Sequence, residues 1–127
     1  MISRSTTMIL AVDHIQLAIP EGAEDQARTF FVDILGFTEI QKPAALANRG
    51  GAWFESGGVQ LHLGVDHDFH AARKAHPAFI VDDLDLLLNK IHDAGYELDS
   101  SQPELDGYKR AHIYDPFGNR IELMKKL

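Results

Sequence analysis

Ala27, Phe30, Phe31, Ile34 and Leu35 stand at i, i+3, i+4, i+7 and i+8, a single apolar stripe on a helical period, and Gly36 follows as a stop. Leu84, Leu87, Leu88 and Ile91 repeat the stripe, with Asp82 or Asp83 to cap its start and Gly95 to end it. Elsewhere the period is two. Each helical pattern is preceded by an apolar run headed by a histidine, Asp13 to Ile19 in one half and Ala75 to Val81 in the other. Three strand candidates follow each helix. In the first half they are Thr38 to Gln41, Ala52 to Ser56 and Val59 to Val65, with Gly57-Gly58 as a hairpin turn. In the second they are Tyr96 to Ser100, Arg110 to Asp115 and Asn119 to Lys125, with Asp115-Pro116-Phe117-Gly118 as the turn before the last.

The two halves therefore read as one βαβββ unit written twice. Gly58-Val59-Gln60-Leu61-His62-Leu63 aligns with Gly118-Asn119-Arg120-Ile121-Glu122-Leu123, glycine on glycine and His62 on Glu122. His14 and His62 are 48 residues apart, and His76 and Glu122 are 46 apart. Two paired landmarks in the same order at nearly the same spacing point to a duplication. The polar stretch Asp66 to Ala75 reads as the linker. The predicted fold is α+β, one domain over 8–127, with a first module over about 8–65, a linker over 66–75 and a second module over about 76–127. Met1 to Thr7 read as a loose leader, with Met8 as an alternative start.

Composition narrows the chemistry. Apolar residues are 45% of 127, enough for a real core. The net charge of −7 argues against a nucleic-acid backbone as partner, which needs clustered Lys and Arg. There is no cysteine, so disulfides and thiolate metal sites are excluded. A metal would have to be held by His, Asp, Glu, backbone or water. The apolar stretch Met8 to Val12 is too short for a signal-peptide core, and no segment is long enough to span a membrane. The expectation is a cytoplasmic protein.

Strand alternation assigns the landmarks to faces. With Ile15, Leu17 and Ile19 toward the helix, His14 points to the opposite face with Gln16 and Ala18. Leu61 and Leu63 turn His62 away from the core. Phe79 and Val81 do the same for His76, and Ile121 and Leu123 for Glu122. Taken singly, a strand histidine is ordinarily a surface or hydrogen-bonded residue, and Glu122 the wet side of an edge strand. Three histidines and a glutamate at equivalent places in a repeat are a different matter. Imidazole and carboxylate suit Zn, Ni, Co, Mn or Fe(II), and two histidines with one carboxylate already leave positions open for substrate.

The segments Asp13-His14-Ile15, Gln60-Leu61-His62-Leu63, His76 to Asp83 and Asp115-Pro116-Phe117-Gly118-Asn119-Arg120-Ile121-Glu122-Leu123 resemble the vicinal oxygen chelate superfamily. That superfamily holds glyoxalase I, bleomycin- and fosfomycin-resistance proteins, methylmalonyl-CoA epimerase and extradiol dioxygenases. The resemblance runs from about Val12 to the end. It implies paired βαβββ modules forming a cupped mixed sheet and a divalent ion held by His14, His62, His76 and Glu122. It implies a small substrate chelated through adjacent oxygens, whose developing negative charge the ion stabilises. His62 departs from the pattern: glyoxalase I and the epimerase usually have glutamate there, linked in the isomerase to proton transfer. Ordinary glyoxalase I activity is therefore not expected. His62 and Glu122 are the candidate catalytic residues, with His62 either a fourth ligand or a free base.

Arg110, His112 and Tyr114 alternate along one strand and share a face from which Arg110 can reach a substrate carboxylate or phosphate; a solvated face is the plainer reading. Arg49, in a glycine-bearing loop, and Trp53, whose strand neighbour Phe54 takes the opposite face, are further candidates to line the cup. Trp53 would supply an apolar wall, while for Arg49 an ordinary loop is the simpler account. His67, His70 and His92 read as surface residues. The leading reading is a metal-dependent lyase, isomerase or dioxygenase acting on a small molecule. The alternative is a non-enzymatic drug- or metabolite-binding protein of the bleomycin-resistance kind, whose members lack the ligand set. Strand edges and an apolar seam, with the family habit, point to a homodimer in which exchange of modules is open.

Overall fold

The structure, a computed structural model, describes residues 6–127. The leader expected over Met1 to Thr7 lies mostly outside the described residues. Eight strands form two four-stranded mixed sheets. The first contains β1 (Ile15–Ile19), β2 (Thr38–Ile40), β3 (Ala52–Ser56) and β4 (Val59–Val65), in the order β1-β4-β3-β2. The second contains β5 (Ala78–Ile80), β6 (Leu98–Asp99), β7 (Tyr108–Tyr114) and β8 (Arg120–Lys126), in the equivalent order β5-β8-β7-β6. In each sheet the first strand runs parallel to the last and the others are antiparallel. This is the duplicated βαβββ architecture that the repeat predicts.

Both helices fall on their predicted stripes. In the second module α2 (Leu84–Asp93) is capped by Asp83, whose carboxylate accepts from the Leu86 amide at 3.1 Å. In the first, α1 (Glu24–Arg28) passes directly into a π-helical stretch over Thr29–Ile34, which ends with Leu35 N donating to Phe30 O at 3.0 Å. That widening was not predicted. It lies where two adjacent bulky residues, Phe30 and Phe31, are both fully buried.

One apolar core serves both modules. Phe30 packs edge-on against Tyr96, and Phe37 against Phe79. The turn before β8 adds a polar clasp. The Asp115 carboxylate accepts from the Phe117 and Asn119 amides and from Asn119 Nδ2. Buried Asn119 also donates to the Ala18 carbonyl at 2.8 Å and accepts from the Ala72 amide at 2.9 Å. One side chain thus fastens the second module's turn to the connecting segment and to β1. Two part-buried backbone groups are satisfied by it.

Each sheet has two edge strands, β1 and β2 in the first and β5 and β6 in the second. Ile80 on β5 is largely exposed, as are Met8, Ile9, Leu10 and Val12 ahead of β1. Among the described residues no helix is long and apolar enough to cross a membrane.

Candidate metal centre

The outward faces of the two sheets carry the chemistry. Parallel pairing of β1 with β4 sets Gln16 beside His62, and antiparallel pairing sets Trp53 beside His62. His62 is buried between two rings. Trp53 lies 3.7 Å away and 3° from parallel, His14 4.1 Å away and 19° from parallel. The Nε2 of His62 stands 3.3 Å from Gln60 Oε1. Burial, with some help from the neighbouring His14, holds the His62 pKa below its ordinary value. His14 lies one residue ahead of β1. Its Nδ1 pairs with the Asp13 carboxylate at 2.9 Å, a partner that leaves Nε2 free for a ligand.

On the second sheet the register places His112 opposite Glu122, and Ala78 on the other side of Glu122. His76, two residues ahead of Ala78, reaches over the same carboxylate. Its Nδ1 donates to the Lys74 carbonyl at 2.9 Å, and its Nε2 stands 3.0 Å from Glu122 Oε1. A carbonyl only accepts, so Nδ1 carries the proton and Nε2 of a neutral ring is a lone pair facing a carboxylate oxygen. That contact is repulsive unless a proton or a metal ion lies between the two atoms. The other carboxylate oxygen, Oε2, accepts from Arg110 Nη1 at 3.2 Å. Burial pushes the Glu122 carboxyl up, but its bonds to His76 and Arg110 outweigh this and hold its pKa below the ordinary value.

His112 completes the group, with Nε2 3.8 Å from Glu122 Oε1 and its ring edge-on to that of His76. It is buried, yet neither ring nitrogen has a hydrogen-bond partner. An unpaired buried polar group costs about 1–3 kcal/mol. Burial also lowers the His112 pKa, with Arg120 the next cause. One ligand atom each from His76, His112 and Glu122 lies within 4.8 Å of the others, the group of three or more such side chains found among the described residues. Donors about 2.1 Å from a shared ion stand about 3.0 Å apart at a right angle and about 3.4 Å apart at a tetrahedral one. The observed 3.0 and 3.8 Å bracket that range. Two imidazoles and a carboxylate fit a divalent transition metal.

The family model for the glyoxalase/bleomycin resistance protein/dioxygenase superfamily matches residues 11–123. The chain belongs to that superfamily. A glyoxalase family protein from Bacillus anthracis superposes with a TM-score of 0.87 at 39% identity, covering 97% of this chain and 100% of its own. A glyoxalase/dioxygenase from Nostoc punctiforme gives 0.74 at 23%, covering 97% and 99%. A mutant of the fosfomycin resistance protein FosX from Listeria monocytogenes, solved with Mn(II) and 1S,2S-dihydroxypropylphosphonic acid, gives 0.78 at 19%, covering 94% and 95%. Comparison with curated proteins returns no match.

Of the four ligand positions expected in a glyoxalase-superfamily member, one sheet brings His14 and His62 together and the other His76 and Glu122. The two pairs do not join in one metal-sized group within the chain. His112, read from the sequence as a substrate contact or a solvated residue, instead sits against Glu122. The available signal was its alternation with Arg110 and its cross-strand register with Glu122. Arg110 holds Glu122 and also donates to the Pro103 carbonyl. Tyr114 is buried away from this group, beneath the guanidinium of Arg73 at 4.6 Å and near that of Arg120. Trp53 and Arg49 both line a cavity of about 620 Å³ on the first sheet, with Gln16 and Gly64. The Arg49 loop is drawn tight there: a side chain at Gly51, whose φ is +98°, would strike the Leu63 carbonyl. His67, His70 and His92 are exposed, as the sequence predicts.

Proposed function

We propose that this chain is a metal-dependent superfamily enzyme, a lyase, isomerase or dioxygenase, acting in the cytoplasm on a small substrate chelated through adjacent oxygens. The observation that carries the reading is the approach of His76 Nε2 to Glu122 Oε1 at 3.0 Å, with His112 Nε2 at 3.8 Å from the same oxygen, a spacing that fits donors sharing one ion. A divalent ion held there would act as a Lewis acid toward negative charge on substrate oxygen.

The chain's own residues then have distinct tasks. His76 and Glu122 hold the ion from the second module. Arg110 fixes Glu122 through Oε2, leaving Oε1 to face the site. His14, with Nδ1 on Asp13, offers Nε2 from the first module. Trp53, Gln16 and Arg49 line a cavity on the first sheet that would take the substrate body. His62 holds His14 in place by ring stacking, and its lowered pKa makes it a weak proton acceptor.

The assembly we propose is a homodimer. His14 and the module-two residues form separate half-sites in one chain, and both β1 and β5 have an open edge. A two-fold pair in which the first module of one copy faces the second module of the other brings the half-sites together twice. Sedimentation at micromolar concentration should give about double the 14.2 kDa chain mass, and a monomer would refute the assembly.

Metal analysis tests the central reading. Protein purified without added metal and then exposed to zinc, manganese or iron should hold about one ion per chain, and Glu122→Ala should abolish binding. No uptake of any of the three would refute it.

A further inference from the structure

We propose that His112 is a metal ligand, so that the second module alone presents a three-donor centre of His76, His112 and Glu122. The inference rests on the metal reading above and adds a residue that the repeat does not supply. Its equivalent in the first module, by register opposite His62, is Trp53, which has no donor for an ion.

The case is a contrast between two buried histidines. His62 is accommodated without a metal. Trp53 and His14 cover its two faces, and Gln60 lies within hydrogen-bond distance of its Nε2. His112 has none of this. Neither nitrogen meets a protein donor or acceptor, although the ring is enclosed by protein. A histidine kept for structure would bond at least one of them. Its Nε2 lies 3.8 Å from the one Glu122 oxygen that Arg110 leaves free, the same oxygen that stands 3.0 Å from His76 Nε2. One ligand atom from each of the three side chains thus lies within 4.8 Å of the others, and the groups around them fit the arrangement. Arg110 engages Oε2 and the Lys74 carbonyl engages His76 Nδ1, so Oε1 and His76 Nε2 are both left for a cation.

The test measures metal affinity, not turnover. Zinc binding is followed by competition with a chelator in the unmodified protein, the His112→Gln variant and the His92→Gln variant. Loss of a first ligand should weaken binding by roughly 100-fold or more, since loss of an outer partner alone costs about 10–100-fold. His92→Gln, at an exposed histidine outside the centre, should leave affinity near that of the unmodified protein. Cobalt loading gives a second readout: the visible spectrum should change in His112→Gln and persist in His92→Gln. Long-range proton–nitrogen spectra of the unmodified protein need no substitution at His112. There its Nε2 resonance should move to a metal-bound position on adding zinc while the His62 nitrogens stay. Unchanged affinity and spectrum in His112→Gln, or an unmoved His112 resonance in zinc-loaded protein, overturns the inference and leaves the metal reading intact. Failure of the unmodified protein to bind zinc, cobalt or manganese overturns both.

Discussion

Trp53 and His62 lie face to face, their ring centroids 3.7 Å apart and their planes 3° from parallel. Cross-strand pairing of β3 with β4 puts them opposite each other, and His14 closes the far side of the imidazole. The tryptophan is thus the wall that keeps His62 out of water, and water exclusion is the leading cause of its lowered pKa. Trp53→Ala should let the His62 pKa rise toward its ordinary value near 6.5, readable by titrating its ring resonances by NMR. Because Trp53 is only half-buried, the accompanying loss of stability should be about 1–3 kcal/mol. A His62 pKa that stays low in the variant would show that the depression comes from His14 instead.

Much of this was legible in the sequence because it depends on period and register. The two helical stripes, the two-residue turn at Gly57-Gly58 and the alternation that turns His62 and Glu122 away from the core all follow from chain-local spacing. The predicted strand limits drift where a partner is short: β6 is reduced to Leu98–Asp99, and β7 begins at Tyr108, two residues earlier than expected. His112 was harder to read. Its neighbours His76 and Glu122 come from the segment ahead of β5 and from β8, so spacing along its own strand shows only an alternating polar face. The π-helical turn at Thr29–Ile34 and the Asn119 clasp answer to packing between modules, which no local pattern records.

Asn119 should be the most costly single polar residue outside the metal centre. Asn119→Ala removes the donor to Ala18 and the acceptor for Ala72, and leaves Oδ2 of Asp115 without its amide partner. Each unpaired buried group costs about 1–3 kcal/mol, so a total loss of roughly 2–4 kcal/mol is expected. Urea unfolding should show a lower midpoint with an unchanged slope. A midpoint equal to that of the unmodified protein would mean that water replaces the side chain at all three contacts.

Asp115 gives this clasp a pH dependence of known sign. Burial raises its pKa above 3.8, against the four hydrogen bonds that favour its charged form. A group with a raised folded pKa binds more protons folded than unfolded between the two values. Its contribution is therefore present below 3.8 and lost as pH rises through the folded pKa. Asp115→Asn cannot titrate. The stability gap between the unmodified protein and this variant should shift against the unmodified protein as pH climbs from about 4, then level off. A gap that widens in the opposite direction over the same window would place the folded pKa below 3.8, with the hydrogen bonds outweighing burial.

The reaction type turns on the one position where this chain departs from the glyoxalase I pattern. A glutamate in place of His62 would bring a second carboxylate to the site and accept a proton from a carbon acid. With histidine there, Glu122 is the carboxylate that remains among the proposed ligands, and a divalent ion keeps a net positive charge that favours anionic oxygen. His62 is also a poor base, because burial lowers its pKa and Gln60 lies within reach of its Nε2. We therefore expect little or no isomerisation of methylglyoxal–thiol adducts by the unmodified protein with zinc, nickel or iron. His62→Glu should raise that activity, provided the new carboxylate takes the space between Trp53 and His14. Assaying both proteins against all three metals decides the point. Efficient isomerisation by the unmodified protein would show that proton transfer here does not need a carboxylate at position 62, and the assignment of His62 as a supporting ring would fall with it.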